Sequence, residues 1–249
     1  MISAKEIYDI VNQIAPFKFA EEYDNVGIIY DSNLQVNRVL FALDITDETI
    51  DEAINLNCGI IVSHHPILFH AVKKIGSDDL ITKAIKNDIS LITAHTNYDK
   101  VKVGTSSVLA SSLGLLITED VSDGLGRIGY YEKPMTQLDF IMHVKSLLCT
   151  NSVSAVVGKK KIKRVLVIAG SSGDIEEFLK LKIDAIVTGE TKYSNALEAK
   201  RQGKTLVIAG HYETENIGFK GLHEIISKVV TGNAECFYSK EGRNPIKYF

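Results

Sequence analysis

No run of eighteen apolar residues occurs in this 249-residue chain, so no membrane-spanning helix is expected. Cysteine is scarce. Cys58, Cys149 and Cys236 lie far apart with no CxxC pair; an odd, dispersed set argues against a disulfide framework and suits a reducing compartment. The opening residues, Met1-Ile2-Ser3-Ala4-Lys5, lack the charged-then-apolar pattern of a secretory signal. The expected setting is therefore the cytoplasm, away from membranes. Charge of one sign is also lacking: a net −3 gives no bulk attraction to nucleic acid or anionic lipid. The densest basic cluster, Lys159-Lys160-Lys161 with Lys163-Arg164, reads as a solvated turn before a strand. No Walker loop is present. Gly124-Leu-Gly-Arg-Ile-Gly129 matches GxGxxG, but no strand is expected before it and no helix opens at its last glycine. It reads as a loop entering a strand through Tyr130-Tyr131.

Apolar residues at 45% and charged residues at 24% describe a globular chain, long enough for one large domain or two lobes. Ser3 to Ile14 has a helical apolar face, with Ser3 and Glu6 spaced as a capping box. Beyond Pro16, strands and helices alternate. Strands are expected at 38–43, 59–63 and 90–94, and helices at 47–56, 78–87 and 105–113, the last closed by Gly114. Pro134 to Leu148 reads as a helix. The order then repeats, with strands at 164–169, 185–188 and 205–209 and helices at 173–181, 195–202 and 219–230. Arg38-Val39-Leu40 matches Arg164-Val165-Leu166, and Ile61-Val62-Ser63 matches Ile186-Val187-Thr188. The expected fold class is α/β: two related α/β lobes packed together, with a metal site in the crevice between them. Residues 1–118 form lobe 1, 119–163 a connecting segment and 164–230 lobe 2, with 231–249 a candidate to return to lobe 1.

The chemistry concentrates at three strand ends. His64-His65 closes an apolar run before Pro66. Two adjacent imidazoles bring donors and acceptors that a core must satisfy, and at a strand end they suit metal ligation. His95-Thr-Asn-Tyr-Asp99 and His211-Tyr-Glu-Thr-Glu215 each place a carboxylate four residues after a histidine, on one face of a helical turn. Ligand crevices of α/β sheets lie beyond the carboxyl ends of their strands, where all three segments fall. His64, His65, Asp99, His211 and Glu215 form a donor set for two divalent ions, with either carboxylate able to bridge them. Imidazole and carboxylate suit Zn, Fe or Mn alike. His95 is a ligand, a partner of Asp99 or a proton shuttle, with a non-ligand role favoured. Glu190 stands where the repeat puts the counterpart of His64-His65. It is either a general base or an ordinary acid at a helix start. His70, His143 and His223 carry no such pattern and read as structural or exposed.

Asp24-Asn25-Val26-Gly27, Ser63-His64-His65-Pro66, His95 to Asp99, Gly124 to Gly129, Thr188-Gly189-Glu190 and Gly210 to Glu215 occur in this order. Together they resemble the GTP cyclohydrolase 1 type 2-like (NGG1-interacting-factor-like) dinuclear-metal family, over nearly the whole chain. The resemblance implies a two-lobed α/β protein in a toroidal homohexamer. It implies two divalent ions, iron, zinc or manganese, on His64, His65, Asp99, His211 and Glu215, with Glu215 bridging. It also implies a GTP cyclohydrolase-like activity; on the reading of the residues, the chain is a metal-dependent hydrolase acting on a nucleotide-like or phosphoester substrate, with Glu190 or His95 moving the proton. The alternative is a metal-stabilised regulatory or interaction protein, DNA-binding through Lys159 to Arg164, without turnover.

Overall fold

A computed structural model describes residues 1–247. In chain order the elements are α1 (Ala4–Ile14), β1 (Gly27–Tyr30), β2 (Arg38–Ala42), α2 (Asp47–Asn55), β3 (Ile60–Ser63), α3 (Leu80–Lys86), β4 (Ser90–Thr93), α4 (Thr96–Lys100), α5 (Thr105–Ser112), β5 (Leu116–Val121) and β6 (Gly126–Met135). There follow α6 (Gln137–Leu147), β7 (Ser154–Val156), β8 (Ile162–Ser171), α7 (Glu176–Leu179), β9 (Ala185–Glu190), α8 (Tyr193–Gln202), β10 (Thr205–Ile208), α9 (His211–Val229) and β11 (Glu235–Tyr238). The chain forms two compact units: Met1–Val101 with Phe219–Arg243, and Lys102–Gly218 with the chain from Asn244. The segment 231–249 ends in residues 248 and 249, which lie outside the described residues.

The first unit carries the sheet β1-β4-β3-β2-β11. Its β11, β2, β3 and β4 run parallel, and β1 is antiparallel at the β4 edge. Parallel strands covered on both faces read as continuous apolar runs. Ile60-Ile61-Val62 does so, and all three residues are fully buried. Leu40, Ile61 and Leu91 face a core that includes Ile50 and Ala53 of α2 and Ile81 and Ala84 of α3. Phe41 faces the other way, towards Phe219 of α9. Ser3 and Glu6 make the expected capping box on α1.

The second unit carries the sheet β5-β6-β8-β9-β10-β7. Its β8, β9 and β10 are parallel, flanked by antiparallel β6 and β7. Side chains alternate between two cores. Val165, Val167 and Val187 meet α5 and α6, while Leu166, Ile168 and Ile186 meet α7 and α8.

The internal repeat is visible at the level of single hydrogen bonds. Ser63 Oγ donates to the carbonyl of His65 at 2.9 Å, and Thr188 Oγ1 donates to the carbonyl of Glu190 at 3.4 Å. The Ala94 amide donates to Ser63 O at 2.9 Å, and the Ala209 amide to Thr188 O at 2.8 Å. In each triplet the third strand borders an antiparallel neighbour, β1 beside β4 and β7 beside β10. Glu190 thus occupies the place of His65, and Gly189 that of His64.

Four local expectations are corrected. The last long helix starts at His211, not 219. Its first two turns carry polar residues and Gly218, whose Cα sits so close to α5 that a Cβ would lie 2.5 Å from Thr105 Cα, so no apolar stripe marks them. A strand, β5, does precede the glycine-rich segment, and β6 follows it antiparallel. That hairpin is not the strand-to-helix turn of a dinucleotide site. Pro134 and Met135 end β6, and the next helix begins at Gln137 behind a Thr136 cap. The helix expected over 173–181 is a single turn, Glu176–Leu179, and Gly173, at φ +58°, lies outside it.

Candidate metal centre

The β2, β3 and β4 strands of the first unit end side by side, and each delivers one part of a site. His64 and His65 follow β3. Their amides donate to Leu43 O at 3.2 and 3.0 Å, which pins the chain as it leaves the sheet. His64 is fully buried. His95 follows β4, and one ring nitrogen from each of His64, His65 and His95 lies within 4.8 Å of the others. Asp99, in α4, brings Oδ1 to 3.5 Å from His64 Nε2.

All three rings are oriented through Nδ1. That atom of His64 donates to the Ala94 carbonyl at 2.9 Å, of His65 to Asp44 Oδ1 at 2.7 Å, and of His95 to Asp24 Oδ1 at 2.9 Å. An imidazole whose Nδ1–H is held by an acceptor keeps the other nitrogen as a ligating lone pair. This is the arrangement found behind metal-bound histidines. The donor set therefore fits a divalent ion of the Zn, Fe or Mn kind.

Asp24 has a second task. Its Oδ2 accepts from the Thr96 amide at 3.1 Å and from Thr96 Oγ1 at 2.5 Å, capping α4 where the preceding His95 side chain does not. Burial alone would raise the pKa of this carboxyl. Hydrogen bonds from His95 and Thr96 outweigh it and bring the pKa down to about 2. Asn97 fixes the same turn: its Oδ1 accepts from the His95 amide at 3.0 Å, and its Nδ2 donates to Ala15 O at 2.7 Å.

The second unit groups His211, Glu215 and Glu190. His211 Nε2 is 3.0 Å from Glu215 Oε2, one helical turn on, and Nδ1 is 3.1 Å from Glu190 Oε1. Glu190 ends β9, before α8 starts at Tyr193, so it is not an acid of that helix's first turn. Glu215 is buried, and glycines make the room. Gly170 has φ +63°, and a Cβ there would fall 1.9 Å from Glu215 Oε1. A Cβ on Gly189 would fall 2.6 Å from Gly170 O and from Thr214 Oγ1. Thr214 Oγ1 accepts from the Gly170 amide at 3.0 Å.

The structure places His64, His65, His95 and Asp99 together in one unit, and His211, Glu215 and Glu190 together in the other. Histidines outside the pattern are elsewhere: His143 Nε2 is on Leu113 O at 3.0 Å, His223 Nε2 is on Cys236 O at 3.5 Å, and His70 is exposed. Sequence reasoning missed Asp44, although it lies two residues beyond β2 just as His65 lies two beyond β3. It also missed the roles of Asp24, Gly170 and Gly189. Among the described residues, no helix is long and apolar enough to cross a membrane.

Known proteins share this framework. The chain is 33% identical to a GTP cyclohydrolase 1 type 2 homolog of Clostridium perfringens, covering 98% of both chains. It is 34% identical to a protein of the same name from Clostridium acetobutylicum, covering 86% of this chain and 85% of that one. The crystal structure of a Staphylococcus aureus hypothetical protein superposes with a TM-score of 0.89 at 29% identity, covering 99% of each chain. Residues 2–245 match the family described as Duf34/NIF3 (NGG1p interacting factor 3), and the chain belongs to that family.

Proposed function

We propose that the chain is a dinuclear-metal hydrolase acting on a nucleotide-like or phosphoester substrate. His64, His65, Asp99, His211 and Glu215 would hold two divalent ions. The observation that carries this reading is the orientation of His64, His65 and His95 through Nδ1. Three imidazoles within 4.8 Å, each fixed from behind, are organised for ligation and not for core packing.

Bound divalent ions supply Lewis acidity and lower the pKa of a coordinated water into the neutral range. The chain's own groups do the rest. Asp44 and Asp24 fix the ring planes of His65 and His95. Glu190 holds His211 and, being exposed, can also accept a proton and pass it to solvent. His95 either completes the donor set or carries a proton beside it. The names of the clostridial relatives point to a purine nucleotide as substrate class. From the family resemblance we also take assembly as a homohexamer, checked by light scattering, and from the three dispersed cysteines a cytoplasmic setting.

The deciding experiment replaces His64 and His65 with Ala, and separately His211 with Ala, and measures bound metal by elemental analysis. The reading requires both variants to lose metal. Unchanged stoichiometry in either overturns the reading. Turnover of a nucleotide and phosphodiester panel by the metal-loaded protein then tests hydrolysis.

A further inference from the structure

Beside the imidazole cluster stand two aromatic rings that the fold does not use. Tyr23 is 65% exposed and Phe69 is 40% exposed. Their ring centroids are 6.1 Å apart with planes at 54°. Phe69 presents its ring to His95 at 6.2 Å and 77°. The loop carrying Phe69 is tied down. Asn25 Nδ2 donates to Leu68 O at 2.6 Å, and the Asn25 amide donates to Asp24 Oδ1 at 2.9 Å. The aromatic rim is therefore fastened to the same carboxylate that holds His95. Lys73 and Lys74 follow on this loop, both exposed.

We propose that Tyr23 and Phe69 form a stacking subsite for the planar heteroaromatic ring of the substrate. The inference rests on the metal-centre reading and adds to it the part of the ligand that is gripped. Exposed aromatic faces gain little from water and much from a flat partner. Two rings are too small a patch for a protein partner, which needs about 800 Å² from each side. Lysines next on the loop favour an anionic group on the same ligand. A flat base carrying phosphate fits both features.

The test uses the full-length zinc-loaded protein and fluorescent aminopurine riboside monophosphate. The chain has no tryptophan, so the probe is read without interference. Stacking is expected to quench the probe. In the double variant Tyr23→Ala with Phe69→Ala, Kd should rise at least about tenfold, while Tyr23→Phe binds like the parent and Phe69→Leu is weakened. Metal content, measured on the same samples, should not change, which separates this proposal from the metal-centre reading. Three outcomes overturn it: unchanged affinity in the double variant, ribose phosphate binding as tightly as the riboside monophosphate, or loss of metal along with the rings.

Discussion

Asp44 Oδ1 lies 2.7 Å from His65 Nδ1, so a carboxylate at the end of β2 orients an imidazole at the end of β3. The two strands are parallel neighbours with Ala42 opposite Ser63, which puts the residues two places beyond each strand within reach. Asp24 and His95 repeat the relationship at 2.9 Å, and Glu190 and His211 at 3.1 Å.

Removing Asp44 should therefore loosen the metal without unfolding the chain. Its side chain is 41% exposed, so Asp44→Ala is expected to change stability by no more than about 0.5 kcal/mol. Metal affinity should fall by about 10–100-fold. Competition against a chelator, with a urea titration as control, measures both.

Asp24→Ala is expected to do both kinds of damage, because Asp24 is buried, holds His95 and caps α4. A loss of about 1–3 kcal/mol in urea unfolding is expected. The parent should also show an acid signature. A carboxyl whose pKa is depressed from 3.8 to about 2 stabilises the fold fully above 3.8, and that stabilisation is lost as pH falls towards 2. Acid unfolding of parent and variant, followed by circular dichroism, should converge at the low end.

Gly170→Ala should displace Glu215. The new methyl meets Oε1 at 1.9 Å, and the φ of +63° is strained for any residue with a Cβ. A cost of about 1–3 kcal/mol is expected, with reduced bound metal. Gly173→Ala is the control: its φ is +58° but a Cβ there meets nothing within 4 Å, so it should share the backbone strain and keep its metal.

His223 gives a prediction of opposite sense to Asp24 in its residue type but the same direction in pH. Burial among Phe41 and Tyr238 lowers its pKa, against the raising effects of the Cys236 carbonyl and Glu224. The folded state disfavours the imidazolium, so the unfolded chain binds more protons as pH drops through the ordinary histidine range of about 6.5. Stability should fall from about pH 8 to about pH 5, and His223→Gln should flatten that slope in urea titrations.

Thiol labelling should rank the cysteines by burial. Cys149 is exposed and should react first. Cys58 is 3% exposed, and burial pushes its thiol up to about 12, so it should label only on unfolding. Fast labelling of Cys58 in the native protein would contradict the core of the first unit.

Part of this arrangement is legible in the amino-acid sequence. Apolar runs at 60–63 and 185–188, short and rich in β-branched residues, read as strands buried on both faces. The helical spacing of His211 and Glu215 announced a shared face, and the helix does begin at His211. The duplication was visible in matched triplets. The hairpin before Gly126 was not, because residues 116–121 are mostly exposed and carry no burial alternation to betray a strand.

Which side chains end the strands is legible in the chain's local pattern, since periodicity and capping are properties of neighbouring residues. What stands behind each ring depends on folding. Asp24 is 71 residues from His95, and Asp44 is 21 from His65. Folding also decided that β11, near the end of the chain, extends the first sheet beside β2. Such pairings are set by strand order and by the closing of long loops, whose free-energy cost grows only slowly with length. No local pattern records them.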